Sequence, residues 1–128
     1  MTIKSSTVFA TLMIVVPLMI AVATRLGWVD SWDTGARLSF VLSGVFLMMS
    51  GNAIPKRLAS LAGPDPSRVQ SFRRFAGWTW VLTGVAYSLA WLLLPMHYAG
   101  PAAMLAVTSG MLMIASRLVM LFLTPRSV

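Results

Sequence analysis

Residues 36–54 read ARLSFVLSGVFLMMSGNAI, and Pro55-Lys56-Arg57 follows directly. The run carries one charge, Arg37, at its edge. As a helix it would rise about 28 Å, close to the ~30 Å hydrocarbon core of a bilayer. In lipid each peptide group must bond within its own segment, which a helix alone achieves for an isolated apolar run. This run therefore predicts a transmembrane helix, and the rest of the chain is read from it.

Working outward, similar runs lie on both sides. Residues 8–26 form one, with Pro17 near its middle and a kink expected over 13–17. Residues 75–94 form another, rich in Trp78, Trp80, Tyr87 and Trp91, and residues 102–123 the last. Four spans with short connections use nearly all of the 128 residues. The predicted fold is all-α, a single transmembrane domain built as an integral membrane four-helix bundle. Composition agrees: 58% of residues are hydrophobic and 10% charged, against about 25% charged in a soluble domain. The first run has a second reading, because Lys4, the apolar core and Ala21-Val22-Ala23 also fit a secretory signal with its cleavage site. Retention as a span and cleavage both stay open.

The connections carry the polar residues. Gly27 to Gly35 is short and holds Trp28 and Trp32, suited to the membrane interface, with Asp33 or Thr34 expected to cap the second helix. Pro55 is expected to end that helix. The longest polar stretch follows, with Lys56, Arg57, Arg68, Arg73 and Arg74 against Asp65, and a turn at 63–67. A short interfacial helix capped by Ser67 is expected over 67–74. Pro95 to Pro101 reads as a tight loop containing His97, the single histidine.

Positive charge sets orientation. Lys4, the five cations of the middle loop and Arg126 outnumber Arg25 and Arg37 beside the other two loops. Both termini and the middle loop are expected in the cytoplasm. The net charge of +7 is thus explained by topology and anionic headgroups, and nucleic-acid binding is not expected.

Function classes narrow by chemistry. The chain has no cysteine, and its acids are three aspartates, all in connections. That excludes disulfides and thiolate metal sites. No carboxylate lies at membrane depth, which argues against proton-coupled export of the four-helix small multidrug type. No nucleophile–base pair, phosphate loop or carboxylate dyad stands out, so neither catalysis, a metal nor a cofactor is expected. His97, without neighbouring ligands, reads as a loop imidazole, and the ten methionines as packing and lipid-facing residues.

Packing seams are expected where small residues recur: Ala102, Ala106 and Gly110; Gly84 and Ser88; Ser39 and Ser43. Phe40 to Val45 also echoes Trp80 to Val85, centred on Gly44 and Gly84. Shared ancestry of two hairpins and shared packing needs both account for it.

Candidate site residues follow. Asn52 needs a partner near the end of its span. Lys56 and Arg57 follow it, and Arg73 and Arg74 open the next span, so the four cations are expected to meet across a cytoplasmic pocket for a lipid phosphate or an acidic partner. Arg117, about 9 Å before Leu123, either snorkels to the headgroups or faces the bundle as an intramembrane ligand. Arg37 reads as an interface anchor.

The segment Gly51-Asn52-Ala53-Ile54-Pro55-Lys56, with Arg73-Arg74-Phe75-Ala76-Gly77-Trp78 after the loop, resembles the SdpI family of toxin-immunity membrane proteins over residues 45–84. That family carries a helix ending in Gly-Asn, two residues, then Pro-Lys, and a basic pair before a helix that starts with glycine. The loop here is shorter and lacks the family's Gly-Ile-Arg-Thr-Pro stretch. The resemblance implies a small multispan protein of the bacterial inner membrane. It would act by binding through its basic cytoplasmic loop, in toxin immunity or in sequestering a partner at the membrane. A transporter or ligand-binding bundle using Arg117, an accessory subunit of a larger complex, and a homo-oligomer remain the other readings.

Overall fold

The computed structural model describes residues 3–28, 32–57 and 66–123. It is all-α, with α1 (Ile3–Arg25), α2 (Trp32–Arg57), α3 (Pro66–Leu93) and α4 (Met96–Leu123). Among the described residues, α2, α3 and α4 contain spans long and apolar enough to cross a membrane. The chain is therefore a multi-pass membrane protein. Each helix packs extensively only on its neighbours in sequence, and the α2–α3 pair is the closest.

Several helix ends differ from the sequence expectation, and proline geometry explains most of them. α2 does not stop at Pro55 but continues to Arg57. Proline's fixed φ is helical, and although it lacks the N–H and crowds the carbonyl four residues back, the helix continues for two residues beyond it. α2 also begins at Trp32, which places Asp33 and Thr34 inside its first turn rather than at its cap. There Asp33 complements the positive end of the helix dipole. The separate interfacial helix expected over 67–74 is instead the opening of α3, which runs unbroken from Pro66. Proline is favoured at a first helical position because the N–H it lacks would have no partner there. The loop expected from Pro95 to Pro101 shrinks to Leu94-Pro95. Pro101 lies within the early part of α4, and the N–H groups of Tyr98 and Ala99 donate to the Pro95 carbonyl at 2.9 and 3.0 Å. α1 runs without a break through Pro17. It closes at Gly27, whose φ of +75° lets the Trp28 N–H reach the Ala23 carbonyl at 3.0 Å.

The α2–α3 seam is built on glycine. Gly44 and Gly51 lie two turns apart on α2, as Gly77 and Gly84 do on α3, and the helices run antiparallel with Gly44 against Gly84 and Gly51 against Gly77. A methyl group at Gly84 would sit 2.6 Å from the Gly44 carbonyl oxygen, and one at Gly51 would sit 2.8 Å from that of Gly77. No side chain fits such backbone contact. The echo between 40–45 and 80–85 thus corresponds to two stretches that face each other at their glycines. Gly84 and Ser88 form the seam expected of them, with the Ser88 hydroxyl donating across to the Val41 carbonyl at 3.3 Å. Ser39 and Ser43 instead return their hydroxyls to Gly35 and Ser39 of their own helix, both at 3.0 Å.

The outer helices use a second device. Thr24 of α1 sits against Gly35 of α2, and Thr83 of α3 against Gly110 of α4. Each threonine hydroxyl donates to the carbonyl four residues back, Ile20 and Thr79 respectively, both at 2.8 Å. The hydroxyl oxygen is the threonine atom nearest the glycine, with the Cβ and methyl further off. Because its proton is already bonded within its own helix, it can rest there without a partner on the neighbouring helix. On α4 the buried stripe is Ala99, Ala103 and Gly110. Of the expected Ala102, Ala106 and Gly110, only Gly110 is fully buried. Ala99 and Ala103 join Ala90 and Trp91 in an apolar cluster at the end of the bundle opposite the basic loop.

Candidate functional site

The glycine seam fixes where the charged ends of α2 and α3 meet. Alongside the contact of Gly51 with Gly77 lies a cleft of about 380 Å³ lined by Met48, Met49, Gly51, Asn52, Arg74, Gly77, Trp78 and Val81. Asn52 and Arg74 are exposed, and Trp78 is 69% exposed. The cleft therefore has an apolar wall of methionine, valine and tryptophan, and two polar side chains that can donate hydrogen bonds. An amide N–H and a guanidinium together suit a carboxylate or phosphate oxygen.

Sequence expectation and structure agree here in part. Asn52 and Arg74 share the cleft as expected. Arg73 does not join them: it is 6% exposed and lies off the cleft lining. Adjacent residues on a helix point about 100° apart, so a basic pair cannot present both guanidiniums to one cleft. The side chains of Lys56 and Arg57 lie outside the described residues, although the α2 backbone reaches both.

Arg117 is exposed and turned toward α3, its guanidinium carbon 5.0 Å from the centroid of the Phe75 ring. It lies outside the α2–α3 seam. His97 is exposed in the first turn of α4, 4.0 Å between ring centroids from Tyr98. Among the described residues no group of three metal-ligating side chains stands together.

Arg37 has a role that sequence reading did not find. It is not a simple interface anchor. Its Nη1 donates to the carbonyls of Trp91 and Leu94, at 2.7 and 2.9 Å. The last carbonyls of any helix lack intrahelical partners, and Pro95 has no N–H to offer them. Arg37 supplies the donor from α2, two turns along the same stripe as Gly44, and its charge complements the negative end of α3. Beside it Phe40 stacks on Trp91, with ring centroids 4.0 Å apart and planes within 13°. The available signal was the coincidence of an arginine at a span edge with a Leu-Pro junction at the same expected depth.

Comparison with protein-family models, with curated proteins and with solved structures finds no match to this chain.

Proposed function

We propose that this chain is a non-enzymatic membrane protein that binds an acidic protein partner at its basic end, either as immunity to a membrane-active toxin or to hold that partner at the membrane. The single observation that carries the reading is the α2–α3 cleft. Gly51-Asn52 and Arg74, Gly77 and Trp78, the two separated halves of the likeness to SdpI-type proteins, line one concavity. A partner carboxylate would accept hydrogen bonds from the Arg74 guanidinium and the Asn52 amide. Apolar side chains flanking that carboxylate would rest on Met48, Met49, Trp78 and Val81. Lys56 and Arg57, at the end of the same helix, add positive potential that steers an acidic segment toward the site. The excess of cations at this end favours a cytoplasmic position for the middle loop and both termini, in a bacterial inner membrane.

Site-directed photocrosslinking in native membranes tests this. A photoreactive residue replacing Trp78 is expected to give one discrete protein adduct that disappears with Arg74→Glu. The same probe at Leu105 on α4 should give lipid adducts. Identical adduct patterns at the two positions, or an adduct at 78 indifferent to Arg74→Glu, would exclude the cleft as a partner site. A tag in the middle loop that labels from outside the cell would overturn the orientation.

A further inference from the structure

A second concavity lies on a different face of α3. Where the first turns of α3 separate from the last turns of α4, a cleft of about 410 Å³ opens, lined by Arg68, Ser71, Phe72, Phe75, Arg117 and Met120 among its residues. Two guanidiniums from two helices face one cavity, and the Ser71 hydroxyl lies beside them. The Phe75 ring beneath the Arg117 guanidinium holds that charge against the cleft wall. Depth matters as well. Arg117 lies six residues before the end of α4 at Leu123, about 9 Å along the axis. The cleft therefore lies within the last two turns of α4, the part nearest a membrane surface if α4 spans the bilayer, and Met120, which lines it, is 63% exposed.

We propose that this cleft is a binding site for an anionic phospholipid. The phosphate accepts hydrogen bonds from Arg68, Arg117 and Ser71. One acyl chain lies on Phe72 and Met120 and continues along α4. Two cations around one phosphate favour a headgroup with no compensating ammonium, so phosphatidylglycerol should bind and phosphatidylcholine should not. This inference does not rest on the α2–α3 cleft.

The full chain in mild detergent is titrated with phosphatidylglycerol or phosphatidylcholine of matched acyl chains, and bound lipid is counted by native mass spectrometry. Phosphatidylglycerol is expected to be retained over phosphatidylcholine. Arg68→Gln and Arg117→Gln should each weaken its binding about fivefold, in line with the contribution of one cation at a membrane surface. Arg74→Gln, in the other cleft, should leave it unchanged. If Arg117→Gln lowers the melting temperature, Arg68→Gln combined with Ser71→Ala, on the α3 side of the cleft, carries the test and should weaken phosphatidylglycerol binding at least as much as Arg68→Gln alone. Equal retention of the two lipids, or an equal loss with Arg74→Gln, would overturn the site. Displacement of the lipid by an equal concentration of inorganic phosphate would show an ion site and sink the lipid assignment.

Discussion

The α2–α3 hairpin and the outer helix α4 solve opposite problems. Of the three candidate spans, α3 is the least apolar and the most buried, with 44% of its apolar window enclosed, whereas α4 is the most apolar and 6% enclosed. In water that ranking would be inverted. In lipid an apolar side chain gains nothing by leaving the hydrocarbon, so the interior collects residues that allow close approach or exchange hydrogen bonds. Thr79, Thr83, Ser88 and Arg73 are all buried, while Met104, Leu105, Leu112 and Phe122 face outward. Specificity lies in the hairpin, and α4 contributes one small-residue stripe and an oily surface.

The glycine contacts give the largest expected break in this contrast. Gly84→Leu must push Met48 and the Gly44 carbonyl away, and overpacking of this kind costs about 3 kcal/mol. Unfolding in mixed micelles should show this loss and should also lose the α2–α3 cleft, read by crosslinking from position 78. A Gly84→Leu protein with wild-type unfolding would mean that the hairpin is not held by backbone contact.

Arg37 comes next. Arg37→Met removes the donor to Trp91 and Leu94 and leaves two helix-end carbonyls unmet, at a cost of about 2 kcal/mol. Hydrogen exchange should quicken around the α3–α4 junction and not at Gly51. Arg37→Lys keeps the charge but not the reach of the guanidinium fork, so it should recover part of the loss. Equal exchange in Arg37→Met and wild type would remove the capping role.

What was legible in the sequence follows the same division. Four helices and a multi-pass membrane chain follow from hydropathy and length, which α4 displays most openly. Gly44, Gly84 and Ser88 could be picked out because small residues in an apolar run have few other uses. The ends expected at Pro55 and Pro101 were misplaced because proline disfavours a continuing helix without forbidding it. The two turns of α3 before Phe75 were set apart because their polar residues give no hydropathy signal of continuity with the span. The split of Arg73 from Arg74 and the pairing of Arg37 with the end of α3 depend on helix rotation and register. A single hydrophobic pattern does not encode these, since lipid-facing and partner-facing positions are both apolar. The nearness of Asn52 to Arg74 was legible because one lies at the end of the second apolar run and the other opens the third, and an antiparallel hairpin brings those ends together.

A smaller effect is expected at the threonine–glycine contact. Thr83→Val keeps the branched outline, puts a methyl where the hydroxyl meets Gly110, and deletes a hydrogen bond made to Thr79 within its own helix. The loss should be about 0.6 kcal/mol, the average for a side-chain hydrogen bond inside a membrane bundle. A loss comparable to that of Arg37→Met would show that this hydroxyl bonds across to α4.

The smallest effect is expected on α4, and it separates the two regions most directly. Met104 and Leu105 are 73% and 68% exposed. In a soluble protein, side chains so exposed and so apolar would mark a covered interface. In a bilayer they exchange one hydrocarbon neighbour for another, so Met104→Ala and Leu105→Ala should each change unfolding free energy by less than about 0.5 kcal/mol. If instead either change cost about 2 kcal/mol in a protein-concentration-dependent manner, α4 would be packed against a second copy of this chain rather than lipid. The burial contrast between α3 and α4 would then belong to the isolated chain and not to the assembly in the membrane.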